Sequence, residues 1–277
     1  MRRSAIAFAL LALLPLSAAF AQSAARPLSD PARASAIPLI EEIKRADYEG
    51  DRSTLKRLHS ELRPPAENKL LISRFDYWRG FALWRRAING FNDNVPKPEQ
   101  EDDLNAAIAD FNDSVASDPA FVEPKIAAAS CYGYLYFLNL KDPAHAHQFI
   151  EHSSPLLKEV MASDPDNPRL LWVLGPIRWS SPPERGGGQD KAFDLYNRGL
   201  EVIRRKPAPN DPLEPSWGEP ELLMNRAWSN LNRSTPDLAS AQKDAEAALA
   251  LVPYWHYVKD ILMPQIEKAQ TKPRSSS

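Results

Sequence analysis

"AIADFNDSVASDP", residues 107–119, decides how this chain is read. Counted back from Pro119, it has a small residue at −12 (Ala107), a bulky apolar one at −8 (Phe111), a small one at −5 (Ser114) and an apolar one at −4 (Val115). The spacing of three and four puts these positions on one helical face. The same phrase returns as "SSPLLKEVMASDP", residues 153–165, with Ser153, Leu157, Val160 and Met161 at those positions. It returns again as "AQKDAEAALALVP", residues 241–253, with Ala241, Ala245, Ala248 and Leu249. A further copy, "AFDLYNRGLEVI", sets Ala192, Tyr196, Gly199 and Leu200 at the same spacing and has Arg204 where the others have proline. Small residues at −12 let a neighbouring helix come close, the residue at −8 plugs into that neighbour, and the proline closes the helix.

Outward from these phrases the chain stays helical in pattern. "LIEEIKRADY", "LLISRFDYWRGFALWRRAI" and "SAQKDAEAALALV" carry apolar residues at helical spacing, and strict period-two alternation is hard to find. The 26 prolines are spread between these segments, as in "RPPAEN", "SDPDNP" and "KPAPNDPLEP", where they act as punctuation. The fold class read from this is all-α.

A small residue, a plug four residues on and a later proline resemble the second helix of a tetratricopeptide repeat. The first helix of that repeat has Leu-Gly at its centre. "NPRLLWVLG" supplies it through Leu174 and Gly175, while in "DYWRGFALWRR" either Gly80 or Ala82 can take the glycine position. "EPKIAAASCYGY" and "PELLMNRAWSNL" are first helices without that glycine, and "IPLIEEIKRADYEGD" with "RSTLKRLHSEL" reads as a degenerate opening pair turning at Gly50-Asp51. The resemblance covers most of residues 38–253 and implies an α-α superhelix with irregular inter-helix loops. Two separations within repeats exceed the roughly 12 residues that a 34-residue period leaves between the glycine of the first helix and the small residue of the second. The excess between Gly80 and Ala107 is read as a polar loop, "INGFNDNVPKPEQEDD"; that between Gly175 and Ala192 as an expanded turn, "PPERGGGQ". "YWHYVKDILMPQIEKAQ" reads as a capping helix with Trp255, Val258, Leu262 and Ile266 on one face, kinked or split by Pro264.

The ends carry other information. Arg2 and Arg3, an apolar run from Ser4 to Phe20 and the small-x-small triplet Ala19-Phe20-Ala21 form a secretory signal cleaved after Ala21. The expected organisation is a signal at 1–21, a flexible segment at 22–37, the repeat domain at 38–270 and a disordered tail at 271–277. The location expected is periplasmic or secreted, with no transmembrane segment after cleavage. Several phrases, among them "WGEPELLMNRAWSNLN" and "LLWVLGPIRWSSPPERGGGQ", are similar to a set of exported bacterial proteins with irregular repeats, which implies a bacterial envelope setting and adds no chemistry. A formal net charge of −2 gives no basic excess, so nucleic acid is not an expected partner. Cys131 is the single cysteine, and its apolar setting reads as a small buried thiol.

Candidate chemistry is thin. Gly186-Gly187-Gly188 matches neither phosphate-binding glycine pattern and reads as a turn; the alternative is an anion held by Arg185 and the helix start at Gln189. His145, His147 and His152 lack standard metal-ligand spacing. The acidic runs read as solvated faces. No catalytic residue, cofactor or metal is assigned. The remaining candidate is the concave face lined by first helices, where the register offers Arg74, Tyr77, Trp84, Arg169, Trp172 and Trp179. Arginine and aromatic residues suit an acidic or extended peptide, and the same aromatics suit a core. The function expected is non-catalytic binding of an unidentified protein, peptide or small ligand in the envelope. The alternatives are an accessory part of an envelope transport or cell-wall machine and a metal-dependent or hydrolytic enzyme.

Overall fold

Helices α1 (Pro31–Glu49) and α2 (Arg52–Glu61) open the fold of this computed structural model, which describes residues 30–271. There follow α3 (Lys69–Asn92), α4 (Lys97–Ser117), α5 (Glu123–Leu138), α6 (Pro143–Ser163), α7 (Pro168–Ser180), α8 (Gln189–Arg205), α9 (Glu219–Asn232) and α10 (Leu238–Leu251). The signal at 1–21 and most of the tail at 272–277 lie outside the described residues. Residues 31–37, expected to be flexible, are instead the first two turns of α1, and Ala36 there is fully buried.

Local chemistry sets the helix ends. Asp51, Asn68, Asp142, Asn167 and Asp237 each accept a backbone N–H of the first turn. Pro143 and Pro168 follow two of these caps at the first helical position, where a missing amide costs nothing. Prolines also stand inside helices, at Pro38, Pro155 and Pro176. Pro176 cannot bond the Trp172 carbonyl four residues back, and Asn225 Nδ2 of α9 approaches that oxygen at 3.5 Å.

Consecutive helices pack in antiparallel pairs, and the first helices α1, α3, α5, α7 and α9 also touch in that order. This is the expected α-α superhelix. The repeat positions explain the pairing. Phe111, Tyr196 and Ala245, the plugs at −8, are buried, as are Ala107, Ala192 and Ala241 at −12. A Cβ on Gly80 would come within 2.8 Å of the Phe111 ring, and one on Gly175 would overlap the Tyr196 ring. Each glycine therefore seats the plug of its own repeat, which settles the α3 register on Gly80.

The predicted polar loop at 88–103 is a correction. Only residues 93–96 leave the helix, because α3 runs on by about one and a half turns and α4 begins about two turns early. Their polar extension is tied internally: Arg86 pairs with Asp103 and, at 2.5 Å, with Glu99, and Arg52 reaches Glu99 at 2.9 Å. The other excess is a turn, as expected. Its glycine amides are all spent within it, Gly186 on Pro183, Gly187 on Pro182 and Gly188 on Arg178, so none is left to cradle an anion.

The cap begins after Pro253. Residues Tyr257–Leu262 form a π-helix that runs into α11 (Met263–Thr271). Pro264 removes an amide, and the wider turn before it accommodates the loss. Trp255, Val258, Leu262 and Ile266 are all buried. The two ends of the superhelix meet. Tyr48 of α1 packs its ring 5.1 Å from Trp255 and 6.4 Å from Tyr254, and its hydroxyl donates to Glu221 of α9 at 2.7 Å.

Candidate functional site

Between α8 and α9 the chain runs without helix from Lys206 to Gly218, "KPAPNDPLEPSWG". Five of these residues are Pro or Gly. Asp211–Glu214 closes a turn in which the Glu214 N–H donates to the Asp211 carbonyl at 3.0 Å, and the chain runs on from Pro215 to Gly218 without helix. Leu213, Pro215 and Trp217 are buried while Pro212 and Ser216 are exposed, the alternation of a strand-like segment. The connector lies on the first helices, the face a repeat scaffold ordinarily leaves open.

Its anchor is Trp217. The ring sits 5.5–5.8 Å from those of Phe81, Trp84 and Trp172, and its Nε1–H donates to the Tyr77 hydroxyl at 2.9 Å. Trp78 Nε1 in turn donates to the Leu213 carbonyl at 2.7 Å. Ion pairs fasten the edges: Arg33 to Asp211 at 2.5 Å and Arg74 to Glu214 at 2.7 Å. Burial opposes the Asp211 charge, but the Arg33 hydrogen bond holds its carboxyl below the usual range.

Beneath Trp217 lies a buried cation. The Arg85 guanidinium carbon is 5.6–5.8 Å from the ring centroids of Phe81, Trp84, Trp172 and Trp217. Its Nε donates to Asp47 at 2.7 Å, and Nη2 lies 3.7 Å from Glu221. Burial works against its charge, and the two carboxylates keep it protonated. Burial also pushes the Glu221 carboxyl upward, against the pull of Arg85. Arg85 Nη1, Trp84 Nε1 and Trp172 Nε1 have no hydrogen-bond partner. Ring faces surround them, a setting that receives N–H groups weakly and a guanidinium well.

The six residues proposed for the concave face therefore divide. Tyr77, Trp84 and Trp172 are core, buried beneath the connector. Arg74 and Arg169 reach a cleft of about 340 Å³ at the edge of the connector, beside Pro209 and Pro215. Arg74 also pairs with Asp118 at 2.7 Å and lies 3.8 Å from the Phe121 ring centroid. Arg169 grips both Glu123 oxygens at 2.6 Å and donates to the Trp217 carbonyl at 3.1 Å. Trp179 stands apart, half-buried against Trp228 and Phe193. Sequence reasoning missed Leu213, Glu214 and Trp217. The available signal was a tryptophan inside a proline-rich connector, where solvent exposure would waste its apolar surface.

A second cleft, of about 480 Å³, lies among α8, α9 and α10. Its Arg226 is already held by both oxygens of Asp244. The histidines do not converge: His145 packs on Phe149, His147 lies 3.8 Å from Glu151, and His152 stacks on Tyr132. Among the described residues no group of three or more His, Cys, Asp or Glu side chains is placed to hold a metal ion. Cys131 is buried and free, and burial pushes its thiol well up.

No family model matches the chain, and no curated protein matches it significantly. Among solved structures, a thermophilic tetratricopeptide-repeat protein from Thermus thermophilus matches 87% of this chain and 100% of its own length, with a TM-score of 0.50 and 17% identity. The fold is that of the tetratricopeptide repeat. Among the described residues no helix is long and apolar enough to cross a membrane.

Proposed function

We propose that this protein is an exported, non-catalytic interaction scaffold of the bacterial envelope, engaging a protein or peptide through its repeat array. The supporting observation is the stack of helical pairs with a tetratricopeptide-repeat neighbour, since such arrays build binding surfaces from adjacent first helices. The secretory pattern at residues 1–21 supports the location. Of the proposed contact residues, Arg74 and Arg169 are the two that reach an accessible cleft. Tyr77, Trp84 and Trp172 shape the floor on which the connector rests.

The test is photo-crosslinking in the native envelope. A crosslinkable residue beside Arg74 or Arg169 should give a discrete, saturable adduct, and one at an outer position such as Glu246 should not. Equal labelling at all positions, or none, would contradict the reading. Fractionation of the full chain should place a product shortened by about 21 residues outside the inner membrane.

A further inference from the structure

We propose that Asp211–Trp217 is a built-in pseudo-ligand: it fills the inner face as a peptide partner would, and its own sequence describes the peptide chemistry that face accepts. This rests on the scaffold reading and specifies its site. The segment meets the face through four side chains of distinct character. Asp211 is taken by Arg33 and Glu214 by Arg74, both at the half-exposed edge. Leu213 is buried among the first helices, and its carbonyl is bonded by Trp78. Trp217 enters the aromatic box, and its N–H finds Tyr77. The order carboxylate, leucine, carboxylate, tryptophan, written D-x-L-E-x-x-W, is thus read by separate groups on α1, α3 and α7.

Three features separate this segment from an ordinary loop. It has no helix of its own, only the turn at Asp211–Glu214, so its contacts with the face are those open to a short peptide able to make that turn. Residues 206–210, on its approach, are exposed. From Leu213 to Trp217 the buried residues are Leu213, Pro215 and Trp217, with Glu214 held at the edge and Ser216 exposed, so over this stretch alternate residues enter the face, as in strand-like peptide recognition. Tethering makes it a strong competitor. A segment held by a short flexible linker acts at an effective concentration on the order of millimolar. A free peptide of the same chemistry is therefore excluded from the intact chain at lower concentrations, and the inner face is closed until the tethered copy is loosened.

The experiment uses the mature chain and a labelled synthetic peptide, residues 209–219, "PNDPLEPSWGE". In one variant residues 207–217 are replaced by glycine and serine at equal length; anisotropy then reports binding. The expected result is binding at least about tenfold tighter than to the intact chain, lost when the peptide's tryptophan is replaced by alanine. A helical variant that ignores the peptide overturns the proposal, as does an intact chain that binds it equally well. Should the replacement fail to fold, a double variant, Asp211→Asn with Glu214→Gln, loosens only the half-exposed edge. It should bind the peptide several-fold more tightly than the intact chain, and unchanged affinity overturns the proposal. No envelope partner enters these measurements, so their failure leaves the crosslinking result standing and is distinguishable from failure of the scaffold reading.

Discussion

Two aromatic clusters on this protein have opposite fates. Under the connector, Tyr77, Trp78, Phe81, Trp84, Trp172 and Trp217 pack edge to face and are almost wholly buried. At the C-terminal end of α5, Tyr134 and Phe137 pack against Phe91, yet Tyr136, Phe137 and nearby Leu140 remain exposed. Helical spacing does not separate the two, since each cluster sits on a first helix. What separates them is a covering segment that also meets the polar atoms. The connector brings a carbonyl to Trp78 and an indole N–H to Tyr77, and a buried aromatic with a polar handle needs such a partner.

That contrast can be broken from either side. Trp217→Ala should have the largest effect, a loss of about 3–5 kcal/mol in chemical denaturation, because it empties the centre of the box. A loss below about 1 kcal/mol would mean the box collapses without its anchor. Arg85→Ala comes next, at about 3 kcal/mol, because it leaves Asp47 and Glu221 buried without their cation. Its denaturation midpoint should recover in part as pH falls and Glu221, already pushed upward, takes a proton.

A smaller effect belongs to another side of α3. Burial, with Asp110 and Asp113 nearby, raises the Asp76 carboxyl to about 6. The folded state then binds this proton more tightly than the unfolded state, so stability falls as pH rises from about 4 to 6. Asp76→Asn should therefore raise the melting temperature by a few degrees at pH 7.5 and leave it unchanged near pH 4. A gain that is independent of pH would assign the effect to packing. The smallest effect is expected at Phe137→Ser, within about 0.5 kcal/mol of the parent, since its ring is 59% exposed. A large loss there would show that the second cluster is covered after all.

Much of the architecture was legible in particular residues. The small residue, plug and proline of "AIADFNDSVASDP" located α4, and its copies located α6, α8 and α10. The capping prolines after Asp142 and Asn167 marked helix starts. The segment at 88–103 misled because its polar residues suggested solvent, whereas Arg86, Glu99 and Asp103 pair across the α3–α4 hairpin. Of the site, the positions of Tyr77, Trp84 and Trp172 on the first helices were readable, but their covering was not. Helical periodicity identifies a buried face without saying what buries it. The connector carries no periodicity beyond a few alternating residues, and its hydrogen bonds to Tyr77 and Trp78 span more than a hundred positions of the chain.

The meeting of Tyr48 with Glu221, Tyr254 and Trp255 has a consequence for how the molecule comes apart. An open array frays from its ends, and its repeats melt as semi-independent units coupled only to neighbours. Here the first and last units are each other's neighbours, so neither end is free to fray. Amide hydrogen exchange should show α1 and α10 protected as strongly as α5, with a single transition in denaturant, and removing the final hairpin should unravel the first.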